Sequence, residues 1–474
     1  MTLQNFLPVL PEAVMVGVGI LLLLLDLFLP SRRTVLWLVA LGGSLLALAS
    51  LWAVPVGRAG LGGLVFSDGF GMFFRTLLLV VLLMVELVSI EYVRGKGIPE
   101  GEFLALLSFA SAGAMFMAVS IDLVALYIGL ELLSLSSYAL AGLLLADPRS
   151  GEASLKYFLN GALASAVFLF GVSIFYGVSG STDLGETARS LAQRGADLRP
   201  DPLSLAALFL VLGGIGFKLG MVPFHLWVPD TYEGAPTPVS AFLSVGSKAA
   251  ALAAFLRLFF WAFAPVRESW TAALGVLSLL TMILGNTAAL HQRNVKRMLG
   301  YSSISHVGYI LAGLAAGTVA GFSAALFYAA AYAFMTFGAF AVLVALSREE
   351  MEDLGGLYRR EPVLAFLTLL FMLSLLGIPP LGGFWAKLFV FRATVEAGMS
   401  WLAVAVAANS VISIGYYYRV IRTAYSSPSP EEAPPLLAGL PLQLGLALAA
   451  AGVVLTGLFP DAFLRWAEAA AFFP

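Results

Sequence analysis

Cysteine is absent from all 474 residues. That excludes disulfides, thiolate-held iron–sulfur clusters and c-type haem attachment. Histidine is almost absent as well, with only His225, His291 and His306. We therefore expect no redox cofactor and no metal on this chain. Charge is scarce: 11% of residues are charged, against roughly 25% in a soluble domain. The net charge of −2 comes without a basic patch, which argues against a nucleic-acid partner.

What fills the chain instead is apolar sequence, 60% of all residues. Runs of about 18 or more apolar residues recur along the whole length, the pattern of membrane-spanning helices. Lipid offers the backbone no hydrogen bonds, so such runs must be helical. The spacing predicts about fourteen spans: 11–29, 34–54, 70–92, 103–120, 122–145, 155–178, 203–225, 238–264, 269–290, 295–317, 319–346, 362–391, 400–424 and 438–459. The first run, Ala13 to Leu29, has no positive charge before it and reads as a span, not a cleavable signal. Lys and Arg set the orientation. With the N-terminus outside, the inner loops hold Arg32, Arg33, Arg94, Lys96, Arg149, Lys156, Arg293, Lys296, Arg297, Arg348, Arg359, Arg360, Arg419 and Arg422. The outer loops hold Arg58, Arg189, Arg194, Arg199, Arg267, Arg392 and Arg465. The bias places both termini outside. The longest polar stretch, Ser179 to Pro202, is too short for a catalytic domain, so any chemistry is expected within the membrane.

Two features repeat at nearly one offset. Tyr138-Ala-Leu-Ala-Gly-Leu143 resembles Tyr309-Ile-Leu-Ala-Gly-Leu314, and Lys218 and Lys387 each lie in a helix interrupted by Gly and Pro. Chance similarity among apolar helices is the plain alternative. A true repeat of five spans is odd-numbered, so its second copy would be inverted, an arrangement that marks the transport site of many transporters. The expected fold is an all-α polytopic membrane protein with two inverted five-helix repeats containing broken helices. Its parts would be an N-terminal three-helix segment (1–102), the repeats (103–264 and 269–424) and a C-terminal helix (438–474).

Three of the six lysines fall within spans: Lys218, Lys248 and Lys387. Glu131 is also mid-span. A lone charge at mid-membrane costs about 2.5–3.5 kcal/mol on insertion scales. Lysine can shed that cost by releasing its proton, whereas arginine stays charged. These lysines therefore read as groups that gain and lose protons. Each also has a plain reading: Lys218 and Glu131 as a structural ion pair, Lys248 as a snorkelling side chain, Lys387 as an interface anchor. Glu86, Asp26, Arg75 and Arg257 read as structural or interfacial. His225 lies just past Pro223, where a broken helix admits water, and an imidazole there is a relay candidate as much as a packing group. His306, among Ser302, Ser303 and Ser305, is a second relay candidate; His291 has no role.

These residues resemble the antiporter-like membrane subunits of proton-pumping NADH:quinone oxidoreductase, respiratory complex I. The resemblance rests on Phe217-Lys218-Leu-Gly-Met-Val-Pro223-Phe-His225-Leu-Trp227-Val-Pro229-Asp230, on Gly234-Ala-Pro236-Thr-Pro238 and Ser247-Lys248, on Lys296-Arg-Met-Leu-Gly-Tyr301 through His306, and on Gly377-Ile-Pro-Pro through Lys387. It covers nearly the whole chain, and the Gly-Ala-Pro-Thr-Pro stretch points to the N-type subunit among its sisters. The resemblance implies an ion pair of Glu131 with Lys218 governing proton uptake from the inside. It makes Lys248 the link between half-channels and Lys387 the terminal lysine. It further implies a bacterial plasma-membrane location, partner membrane and peripheral subunits, and NADH, FMN, iron–sulfur clusters and quinone on those partners. The competing readings are a subunit of a multi-subunit cation/proton antiporter and a stand-alone solute transporter. The N-type stretch disfavours the first; the lack of a polar substrate pocket disfavours the second.

Overall fold

In the computed structural model, residues 3–28, 33–194, 201–428, 436 and 439–472 are described. Leu29, Arg32, Arg199 and position 438, which enter the expectations above, lie outside them, as does part of the Ser179–Pro202 stretch. Every transmembrane element is helical. In order come α1 (Leu10–Phe28), α2 (Arg33–Ser50), α3 (Gly69–Gly95), α4 (Glu100–Val119), α5 (Leu123–Ala141), α6 (Pro148–Ser179), the short α7 (Leu184–Arg194), α8 (Pro202–Leu219), α9 (Trp227–Gly234), α10 (Thr237–Phe242) and α11 (Lys248–Arg257). The second half holds α12 (Arg267–Ala289), α13 (Val295–Ala315), α14 (Val319–Leu346), the short α15 (Leu357–Arg360), α16 (Pro362–Leu376), α17 (Gly382–Glu396), α18 (Ser400–Ser426), α19 (Leu440–Leu458) and α20 (Pro460–Ala470). A two-stranded antiparallel ribbon, β1 (Arg58–Gly60) with β2 (Val65–Ser67), bridges α2 and α3.

Twelve helices among the described residues are long and apolar enough to cross a bilayer. Two more complete the expected set. One is α13, whose Lys296, Arg297, Ser302, Ser303, Ser305 and His306 dilute its apolar character. The other is α16 with α17, a single span interrupted midway. Short connections are sharpened by caps. Asp122 accepts from the Val124 and Ala125 amides, both at 2.9 Å, which starts α5 three residues after α4 ends. Asp147 followed by Pro148 starts α6 in the same way.

Two five-helix sets pack alike. In the first, α4 lies on α5, α6 on α8 and α11 on α4; in the second, α12 lies on α13, α14 on α17 and α18 on α12. The loops sort by alternation. At one end Asp122 pairs with Asp183 and Ser120 with Val65; at the other Lys156 and Arg297 meet Asp230, and Lys296 meets Glu349. Apolar side chains of α1 and α6 such as Leu27, Phe28, Leu163 and Phe170 are exposed, as a bilayer permits. The arginines read as structural are so: Arg75 makes a fork with Glu12 at 2.7 and 2.9 Å. Arg257 makes one with Asp68 at 2.7 and 2.7 Å, and it lies over the rings of Phe70 and Phe472.

One expectation needs correction. The seventh span was placed at 203–225 with Pro223 as its breaker, but α8 already ends at Leu219. Gly220, at φ +76°, closes it: the Met221 amide bonds to Gly216 O at 2.8 Å and the Gly220 amide to Phe217 O at 2.9 Å. This is a Schellman end, where glycine is favoured because it has no Cβ to clash. Gly377 (φ +91°) ends α16 identically, with Ile378 bonding to Leu373 O and Gly377 to Ser374 O, both at 3.0 Å.

Candidate functional site

The first break carries Lys218 in the last turn of α8, 2% exposed. Its ammonium donates to Ser134 Oγ of α5 at 3.0 Å and to Tyr157 OH of α6 at 3.1 Å. Tyr157 is fixed by a stack on Trp227 (4.3 Å, 7°), and Trp227 itself spans the break by donating to Phe217 O at 2.8 Å. The expected contact ion pair is not formed. Glu131 is bonded by Ser165 of α6 instead, and no ion pair joins it to Lys218. Glu131 and Ser134 lie on adjacent faces of α5, so the serine occupies the position at the ammonium that the carboxylate was expected to hold.

Lys248 follows a π-helical turn, Leu243–Ser247. Such turns are rare and frequent at functional sites. Its ammonium donates to Ser303 Oγ of α13 at 2.7 Å and lies 5.9 Å from the Tyr232 ring centre. A methyl added to Gly220 would sit 3.6 Å from that ammonium, so Lys248 abuts the first break. A cavity of about 20 Å³ adjoins it, lined in part by Leu219, Val307 and Tyr332. On α13, His306 bonds through Nδ1 to Tyr328 OH at 2.7 Å and through Nε2 to Tyr417 OH at 2.9 Å.

Lys387, on α17, folds back onto the second break and donates to Leu376 O at 2.8 Å. That carbonyl is at the C-terminal end of α16, where the helix dipole favours a cation. A methyl at Gly377 would sit 3.5 Å from Lys387 Nζ. Lys248 of α11 and Lys387 of α17 both sit beside a break glycine, whereas Lys218 precedes its break. The offset that links Lys218 with Lys387 is therefore not the offset between the two breaks. Below Lys387 the Tyr309 ring lies at 5.1 Å, and Tyr309 OH leads on to Asn286, Tyr416 and Asn409 at 2.9–3.3 Å.

Lys218, Lys248, His306 and Lys387 are thus all buried, while Glu131 is half-buried beside them. His225 is apart from them. It is buried in the turn after α8, its Nδ1 has no hydrogen-bond partner, and no hydrogen bond among the described residues ties it to a lysine. Missing from the sequence reading were the hydroxyl partners Ser134, Tyr157, Tyr328 and Tyr417 and the rings of Tyr232 and Tyr309. A signal existed for Tyr309 and Tyr328, which fall well inside α13 and α14 although tyrosines concentrate at membrane interfaces.

The NADH:quinone oxidoreductase/Mrp antiporter transmembrane model matches residues 120–413. The chain belongs to that family. It is 42% identical over 490 residues to NADH-quinone oxidoreductase subunit N 2 of Symbiobacterium thermophilum, covering 98% of this chain and 96% of that one. It is 39% identical over 475 residues to subunit N of Trichlorobacter lovleyi, with 98% and 97% covered. Among solved structures, a chain of respiratory complex I from Thermus thermophilus with bound aureothin superposes at TM-score 0.82 with 36% identity, covering 96% of this chain and 99% of that one. A chain of the Mrp complex from Dietzia sp. DQ12-45-1b reaches TM-score 0.84 at 22% identity, with 99% and 97% covered; that likeness is one of fold.

Proposed function

We propose that this family member is the N-type antiporter-like subunit of a bacterial NADH:quinone oxidoreductase. It would move protons across the plasma membrane while electrons pass through other subunits. The identity to relatives named subunit N, against the fold-level likeness to an Mrp chain, supports this over the antiporter reading. The observation that carries the mechanism is that Lys218, Lys248 and Lys387 are all buried and held by neutral oxygens, with no carboxylate in contact. A buried ammonium without a counter-ion is costly, so its proton is easily given up.

In this reading Lys218 takes up a proton, and Glu131 tunes it through space. Tyr157, Ser303 and the water-sized cavity beside Lys248 supply steps toward Lys248. His306 links Lys248 to Lys387, from which the proton leaves. His225 is at most a secondary group at the break. Each tenfold change in a lysine's protonation equilibrium is about 1.36 kcal/mol. Moving one charge through 100 mV takes about 2.3 kcal/mol, so a swing of about two such steps suffices. NADH, FMN, iron–sulfur clusters and quinone are assigned to partner subunits; a chain without cysteine cannot ligate the clusters as those centres require. The boundaries 103–264 and 269–424 are proposed as inverted repeats, supported by the matching helix packing. Both termini are placed outside, supported by the loop charges.

The test is Lys218→Ala in the assembled complex, with NADH:quinone turnover and NADH-driven proton uptake measured in inverted vesicles. Joint collapse of both rates is expected. Wild-type rates would make the buried lysine structural, and redox-independent sodium/proton exchange would favour the antiporter reading.

A further inference from the structure

The N-terminal three-helix segment precedes the region that the family model matches, and it holds three buried carboxylates. Two are neutralised. Glu12 meets Arg75 at 2.7 Å, and Glu100 meets Arg94 and Arg33 at 3.5 and 3.7 Å. The third, Glu86 in the middle of α3, is 1% exposed. Its Oε1 accepts from Ser44 Oγ of α2 at 2.8 Å, and its Oε2 has no hydrogen-bond partner. Of the helices packed on α3, α10, α14 and α19 bring no charged residue. The others bring Arg33 (α2), Glu100 and Glu102 (α4), Lys248 and Arg257 (α11), and Asp461, Arg465 and Glu468 (α20). None of these makes a hydrogen bond or ion pair with Glu86, whose one hydrogen-bond partner among the described residues is the Ser44 hydroxyl. An isolated carboxylate is costly in such a place, so the neutral acid is favoured.

Buried polar residues follow Glu86 toward one end of the helix, on a stripe that slants around it. Ser89, whose hydroxyl donates to Val85 O at 2.5 Å, is about one turn away and Tyr92 about two, about 9 Å along the axis. Tyr92 OH accepts from the Thr237 amide at 3.3 Å. With Lys96, Asp147, Arg149 and Glu349, Tyr92 lines a cleft of about 500 Å³. We infer that Glu86 is a second proton-binding group of this chain, a carboxyl at the inner end of a short path from that cleft through Tyr92 and Ser89, separate from the lysine line. The carboxylate takes up a proton to become the neutral acid and releases it along the same stripe. The inference requires only that the chain spans a membrane, so it stands or falls apart from the role of Lys218.

The test is infrared difference spectroscopy on the purified complex, wild type minus Glu86→Gln. The expected result is the carbonyl stretch of a neutral carboxylic acid that shifts on transfer to D₂O. Tyr92→Phe and Ser89→Ala should slow that shift by about tenfold or more, and Lys218→Ala should leave it unchanged. If Glu86→Gln fails to assemble, Ser44→Ala assigns the band, because loss of the serine hydrogen bond raises the stretching frequency. Carboxylate stretches alone would overturn the proposal. So would an exchange rate indifferent to both stripe variants, which would leave Glu86 a static tie between α2 and α3.

Discussion

Replacing Tyr157 by Phe removes one atom from the Lys218 site and little else. The ring keeps its stack on Trp227 at 4.3 Å and its edge-on contact with Tyr138 at 4.6 Å. Only the hydroxyl 3.1 Å from the ammonium is lost, leaving Ser134 at 3.0 Å as the remaining partner. A hydrogen bond to a charged group contributes about 1.5–3 kcal/mol. The protonated form of Lys218 should therefore be disfavoured by roughly 10- to 150-fold. If protons pass through Lys218, NADH:quinone turnover and proton uptake in inverted vesicles should fall together, by about tenfold or more. Tyr138→Phe is the comparison, because its ring lies 5.8 Å from the ammonium and its hydroxyl reaches Lys218 only through Ser134; a smaller fall than with Tyr157→Phe is expected. Normal rates with Tyr157→Phe in an assembled complex would refute the reasoning, since the lost bond would then be irrelevant to the transported proton.

Three further outcomes follow from the geometry. Gly377→Ala should cost about 1–2 kcal/mol from its left-handed backbone and also press on Lys387, whose Cδ would lie 3.0 Å from the new methyl. Gly398→Ala, at φ +75° with open space around it, should lose similar thermal stability but keep turnover; equal turnover in both variants would remove the case for a seated Lys387. Arg257→Leu strands Asp68 and should destabilise the protein by about 3 kcal/mol or more, read as a lowered melting temperature that Asp68→Leu in the same chain partly restores. Burial pushes the Asp230 carboxyl up, but the hydrogen bonds from Lys156 and Arg297 outweigh it and hold it below its ordinary value. A lowered carboxyl stabilises the fold above its unfolded pKa and loses that contribution as pH falls through the folded value. Asp230→Asn should thus melt lower than wild type at neutral pH, by at most about 1 kcal/mol per exposed pair, and the two should converge as pH falls through the folded-state value of Asp230; a gap independent of pH would show that the carboxylate charge is not the cause.

The spans were legible because an apolar run long enough to cross a bilayer has one stable backbone conformation there. Breaks were legible in kind but not in place. Pro223 drew attention, yet Gly220 ends the helix, because the left-handed turn comes before the proline and needs a residue without Cβ. The single span expected over 362–391 is two half-helices for the same reason at Gly377. The π-helical turn before Lys248 left no trace, since Leu243–Ser247 has no residue that demands it.

The partners of the lysines were the least legible, and the reason is physical. Reading for opposite charge finds Glu131 for Lys218, because a carboxylate is the obvious relief for a buried cation. The structure instead gives Lys218 a serine and a tyrosine, Lys248 a serine and Lys387 a backbone carbonyl. A contact carboxylate would stabilise the ammonium so well that releasing the proton would leave an unpaired buried anion behind. Neutral oxygens support the charged form only partly, and when the proton departs they leave no charge stranded. The arginine sites make the contrast within one molecule: Arg75 and Arg257 never need to lose a proton, and each is locked in a two-pronged contact with a carboxylate. Pairing with charge where the cation is permanent, and with hydroxyl or carbonyl where it is not, is the distinction that separates the structural cations of this membrane domain from its proposed transferring ones.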